Sequence, residues 1–226
     1  PKDVDDLVLE YFGDRPAGPN TKYEFPTPRE LTEKVELFRT KTSNTTGVNG
    51  EAESGELYVG FQVPSMQFEQ STELQILANL LGGSSASRLF KGISERQGLV
   101  YGISCGYDGL YGQGSFQIAT SARPENMDAI MDGVFREMST LRNELVPQRE
   151  LDVLVRNGRY AMGKGFETNE DREQIIEGRL FYGWDSVAKM GRWGSVTPQD
   201  ILELSREHLP ASREDGNYVV LAKTPK

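Results

Sequence analysis

The chain has 226 residues, 37% of them hydrophobic and 26% charged, a composition that excludes a disordered, collagen-like or low-complexity chain. Its 34 acids against 25 bases give a net charge of −9, which opposes non-specific nucleic-acid binding, because that needs Lys and Arg to displace phosphate counterions. One Cys and one His exclude an internal disulfide, a Cys-cluster metal site and any site built on two His ligands, and no apolar run approaches the ~20 residues that span a bilayer.

Residues 3–12 carry Val4, Leu7, Val8, Tyr11 and Phe12 at helical spacing, with Gly13 as a stop. Pro16, Pro19, Pro26 and Pro28 make 14–32 an extended linker. A short strand is predicted over 34–40, then a polar, turn-rich loop over 41–54. Leu57, Val59, Phe61 and Val63 alternate with Tyr58, Gly60 and Gln62, which predicts a strand with one buried face, ended by Pro64. Helices are predicted over 70–81, with Leu74, Leu77, Leu80 and Leu81 on a stripe, and from Ser85 to Glu95, burying Leu89, Phe90 and Ile93. Strands over 99–107 and 114–121 flank Asp108-Gly109, a hairpin signal. Pro124 and Glu125 open a helix whose Met127, Ile130, Met131, Val134, Phe135, Met138 and Leu141 repeat at three and four. Pro147 starts another, with Leu151, Leu154, Val155, Ala161 and Met162 inward. Thr168 and Asp171 cap a helix running to about Tyr182, Thr197 to Asp200 cap a last one, and Asn217 to Thr224 form a closing strand. Strands adjacent in sequence are expected to pair, so the fold class is α+β, a largely antiparallel sheet with helices on one face.

Most chemical motifs fail on their context. Gly82-Gly83-Ser84-Ser85 follows a helix rather than a strand and lacks phosphate-loop spacing, so it is expected to be a helix–helix corner. Ser84, Ser85 and Ser87 have no G-x-S-x-G elbow, and the only base, His208, is expected at the surface or in a last helical turn, where the helix dipole favours it. Cys105 lies inside a strand and is read as a small packing residue. The Met stripe is core rather than metal box.

Segment 81–111 reads differently: Leu81-Gly-Gly-Ser-Ser-Ala-Ser-Arg88-Leu-Phe, then Ser94-Glu-Arg96-Gln-Gly98-Leu-Val-Tyr101. It resembles the L-G-G-x-x-S-S-R-L-F and R-E-K-R-G-L-A-Y patterns in the C-terminal, non-zinc domain of the pitrilysin/insulinase family of zinc metallopeptidases, its processing-peptidase-like branch. Asp5 to Gly18 resembles the family's Y-F-G-D-L-P-A-G end of helix, the segment from Glu150 to Gly183 its long helix pair, and Val196 to Ile201 its V-T-x-E-D-I, so the likeness covers about residues 4–223.

The resemblance implies an end helix and linker over 1–33 and one α+β domain over 34–226. It implies no catalytic residue and no metal in this chain, whose single His cannot supply the family's H-x-x-E-H. Zinc is then expected in a partner domain or subunit, on the same or a separate polypeptide, closing as a clamshell over a peptide or protein substrate. The family's companion domain offers an Arg and a Tyr to the reaction centre. Tyr101 matches the Tyr, Ser94 stands at the position of the Arg, and Arg88 and Arg96 lie near but out of register. Tyr101, Arg88 and Arg96 are the candidate substrate-binding residues. A scaffold subunit related to the core proteins of respiratory complexes is the second reading, and an unrelated binding module the third. The opening on Pro1 without a Met is what a fragment or processed form is expected to show; no secretory signal is visible, and a bacterial periplasm or cytoplasm is expected ahead of a mitochondrion.

Overall fold

The computed structural model describes residues 35–41, 54–66, 68–109, 112–164, 166–182, 186–214 and 217–225. The predicted helix at 3–12, the linker at 14–32 and most of the polar loop lie outside them. Five strands are described: β1 (Val35–Lys41), β2 (Gly55–Val63), β3 (Val100–Asp108), β4 (Gly114–Ala122) and β5 (Tyr218–Pro225). They form one sheet in the order β1-β5-β2-β4-β3, antiparallel throughout except that β1 runs parallel to β5.

The sequence alternation decides which face of this sheet is covered. Leu57, Val59, Phe61 and Val63 of β2 are buried, and so are Phe116 and Ile118 of β4, Ile103, Cys105 and Tyr107 of β3, and Tyr218, Val220 and Ala222 of β5. Phe61 sits opposite both Phe116 and Tyr218, and its ring centroid lies 6.2 Å from Phe135 and 5.9 Å from Tyr218. Each buried Val, Leu, Ile or Phe among them contributes roughly 1.5–3 kcal/mol by leaving water. The opposite face stays open, with Tyr58 half exposed and Ser104, Gly106 and Ser121 exposed.

The helices cover the apolar face. They are α1 (Ser71–Gly82), α2 (Met127–Asn143), α3 (Gln148–Lys164), α4 (Asn169–Tyr182), α5 (Ser186–Trp193) and α6 (Pro198–His208). α1 is buried on nearly every side, Leu74, Ile76, Leu77, Ala78, Leu80 and Leu81 being almost wholly inaccessible. Its end lies so close to β3 that a β-carbon on Gly82 would fall 2.2 Å from the Cys105 backbone nitrogen; only glycine allows that approach. α6 begins with a full capping box: Thr197 Oγ1 accepts from the Asp200 backbone N–H, and the Asp200 carboxylate accepts from the Thr197 backbone N–H.

The α+β class and the β3–β4 hairpin agree with the sequence reading, and the structure corrects it elsewhere. β1 and β2 do not pair with each other: β5 lies between them, hydrogen-bonded to both. The predicted helix from Ser85 to Glu95 is a turn at Ser84–Ser87 followed by a short helix that widens to π geometry over Phe90–Glu95. α5 has no counterpart in the sequence reading. Leu154, Val155 and Met162 of α3 pack partly buried against the core as predicted, but Ala161, predicted inward, is exposed.

Candidate functional site

β3 is the outermost strand at its side of the sheet among the described residues, and its start is irregular. Val100 pairs with Ala122 and Ile103 with Thr120, so Tyr101 and Gly102 together oppose the single Ser121. This is a β-bulge, which re-aims side chains and leaves backbone groups without ladder partners. Tyr101 carries 102% relative exposure. The ring is thus held out from the fold, packing against nothing.

Ser94 stands in the π-helical turn directly behind the bulge. Its Oγ donates to the Val100 carbonyl at 2.8 Å and more weakly to the Tyr101 carbonyl at 3.4 Å. The two positions singled out by resemblance, Ser94 and Tyr101, are therefore adjacent in space, but the hydroxyl serves the strand backbone and presents no cation beside the phenol.

Arg88 and Arg96 lie elsewhere. Both line a groove of about 780 Å³ between the π-helical turn, α2 and α3. Arg88 makes a two-pronged ion pair with Glu150, Nε to Oε1 at 3.1 Å and Nη2 to Oε2 at 2.9 Å, and its side chain is only 15% exposed. Arg96 bonds Glu137 at 3.1 Å and the Lys91 carbonyl. Both guanidiniums are engaged by the fold, and neither lies in the shallow cleft, lined by Gly102, Ser104, Ala119 and Ser121, that opens beside the bulge. Two side chains at the bulge escaped the sequence reading: Thr120, whose Oγ1 donates to the Gly102 carbonyl at 2.6 Å, and Asn126, whose Nδ2 donates to the Leu99 carbonyl at 3.3 Å. Their sequence positions carry no signal, because the contacts cross the sheet and a turn.

The described residues do not fit zinc. Among the described residues no three His, Cys, Asp or Glu side chains gather to hold a metal ion. Burial pushes the Cys105 thiol up to about 12, far from the thiolate a metal needs. The surface-histidine expectation for His208 is corrected: it ends α6 as expected, but it is half-buried, edge-on to Phe68, with Nε2 buried and unbonded. No described helix is long and apolar enough to cross a membrane.

Comparison with known proteins agrees with this architecture. A 28% identical stretch of 162 residues, 70% of this chain and 36% of the relative, matches an uncharacterized zinc protease of Rickettsia bellii. The uncharacterized zinc protease YmxG of Bacillus subtilis is 26% identical over 102 residues, 45% of this chain and 25% of the relative. Among solved structures, a protease from Helicobacter pylori superposes with a TM-score of 0.83 at 15% identity, over 98% of this chain and 52% of that one. The peptidase M16 inactive domain from Pseudomonas fluorescens gives 0.68 at 18% identity, over 85% and 43%. The chain thus spans between a quarter and about half the length of these relatives. The model of the peptidase M16 inactive domain matches residues 1–157, more than half the chain. With its open-faced α+β sheet and the motifs at 81–101, the chain belongs to the peptidase M16 inactive-domain family, the non-zinc type of domain in the pitrilysin/insulinase zinc metallopeptidases.

Proposed function

We propose that this chain is the non-zinc half of a zinc metallopeptidase, closing as a clamshell over the cleft of a zinc-bearing half and helping to hold an extended peptide there. The hydrolytic chemistry belongs to that partner half. The observation that carries the reading is Tyr101: a large aromatic wholly exposed on an edge-strand bulge, with its backbone tied down by Ser94. A phenol so placed donates a hydrogen bond to a substrate carbonyl and strengthens it as negative charge develops. Beside it, an outermost strand and a face of small and polar side chains (Gly102, Ser104, Ala119, Ser121) suit an extended main chain, which a sheet edge binds through backbone hydrogen bonds. Arg88 and Arg96 would act indirectly, by fixing the π-helical turn against α2 and α3.

The test is kinetic. In the assembled peptidase, Tyr101→Phe lowers kcat on the order of 10²-fold while changing KM little, as loss of a transition-state donor does. Unchanged kcat would remove Tyr101 from the reaction. A second reading, a scaffold without a peptidase role, is favoured by Ser94, whose hydroxyl faces inward where the family's Arg would reach the substrate. The fold likeness to a chain of Complex III2 from Candida albicans, TM-score 0.66 at 10% identity, is compatible with it. An assembly in which Tyr101→Phe and deletion of this half both leave peptide cleavage intact would favour the scaffold.

A further inference from the structure

We propose that Ser94, Thr120 and Asn126 are positioning residues, a three-point clamp that rigidly holds the β3 bulge so that the Tyr101 phenol meets a peptide substrate at a set place; the inference rests on the role of Tyr101 given above. The bulge interrupts the ladder at the start of β3. Backbone carbonyls there must find other partners or water. Each finds a side chain, and each side chain comes from a different element. Asn126, in the 3₁₀ turn before α2, donates to Leu99; Ser94, in the π-helical turn, donates to Val100 and Tyr101; Thr120, on β4, donates to Gly102. The approach to the strand is fixed as well, by Gly98 at φ +63° and by the Leu99 N–H donating to the Ile93 carbonyl at 3.1 Å.

This arrangement is more than the strand needs. A regular edge strand would pair alternate carbonyls with β4, leave the others to solvent without any side chain to hold them, and keep the tyrosine on one face of the sheet. Thr120 is itself a polar residue buried on the apolar face, where an apolar side chain would pack as well; its hydroxyl is explained by the Gly102 carbonyl. The result of the irregularity is a phenol outside the packing, on a backbone that three side chains hold. Apart from Gly102 and its two chain neighbours, no heavy atom lies within 4 Å of where a β-carbon on Gly102 would sit, so the space beside the clamped strand is open to a ligand's main chain. Preorganisation of this kind contributes to rate because a donor displaced by about 1 Å loses much of its effect.

The experiment uses the assembled peptidase with Ser94→Ala and Thr120→Val, each alone and combined with Tyr101→Phe, and with Ser94→Thr and Thr120→Ser as conservative controls. We expect each clamp variant to lower kcat roughly tenfold with KM within about twofold. The conservative variants restore turnover, and neither clamp variant slows an enzyme that already carries Tyr101→Phe. Amide hydrogen exchange across 99–103 should quicken in the clamp variants while exchange in α1 stays as it was. Wild-type turnover in both clamp variants, with Tyr101→Phe impaired, overturns the clamp. If Tyr101→Phe itself turns over normally, the role of Tyr101 falls, and exchange then decides the clamp alone: unaltered exchange at 99–103 overturns it, and faster exchange upholds it. Ser94, exposed more than Thr120, keeps the test decisive if Thr120→Val does not fold.

Discussion

At the end of α6, the His208 ring stands edge-on to Phe68 with centroids 6.3 Å apart, and its Nε2 is buried without a partner. Two effects compete there. The helix dipole and Glu207, 3.8 Å away, favour the imidazolium. Burial disfavours it and wins, so the His208 pKa lies below its ordinary value. Arg142, which lines the same cavity and donates to the Ser205, Arg206 and Leu209 carbonyls, already supplies a cation at this helix end. With the folded pKa below the unfolded one, the unfolded chain binds the proton more readily. The stability due to neutral His208 is present above about pH 6.5, the unfolded value, and is lost as pH falls through the folded pKa. Urea unfolding followed from pH 8 to pH 5 should therefore show a declining midpoint, and His208→Gln should flatten that decline. An equal slope in the variant would assign it to other groups.

α5 is held to α1 by an ion pair that no motif announces. Arg192 Nε bonds Glu73 Oε1 at 2.7 Å, and the Glu73 side chain is 8% exposed, in the first turn of a largely buried helix. The Glu73 bond raises the Arg192 pKa further, so the guanidinium stays charged at every ordinary pH. Removing the cation alone strands a buried carboxylate. Arg192→Leu should thus cost about 1–3 kcal/mol, whereas Arg192→Leu with Glu73→Leu should cost less, because no buried carboxylate is then left without its partner. Denaturant midpoints of the two variants check this, and equal losses would count against a buried-charge origin. α5 is only eight residues long, so although Val187, Met190 and Trp193 fall at helical spacing the stretch is too short for the period to stand out in sequence, and α1, α3 and Glu73 give it the surface it packs on. Gly158 of α3 shows how close that packing is, since a β-carbon there would lie 2.0 Å from the Trp193 ring.

At the scale of the whole molecule, one His and one Cys among 226 residues, both taken up in packing, support the proposal that any zinc chemistry is housed in a partner half. A chelator applied to the assembled peptidase should abolish peptide cleavage while leaving the calorimetric unfolding of this domain where it was. A shift of that transition on adding or stripping zinc would mean that this chain binds the metal itself. The open sheet face and the strand outermost among the described residues are the surfaces the proposed function assigns to a partner and a peptide, and the chain spans about half or less of its relatives.

The amino-acid order alone was enough for the α+β class, the buried stripes of β2 and α2, the β3–β4 hairpin and the family. These depend on local periodicity, turn residues and motifs contiguous in the chain. It also placed Tyr101 and Ser94 seven positions apart, without showing that they touch. Only the tertiary structure could insert β5 between β1 and β2, sink His208 against Phe68, engage Arg88 and Arg96 with Glu150 and Glu137, and bring Ser94, Thr120 and Asn126 to one bulge. Each of these is a contact between residues far apart in sequence or across a turn, settled by packing and by the need of buried polar groups for partners, and neither leaves a period in the sequence.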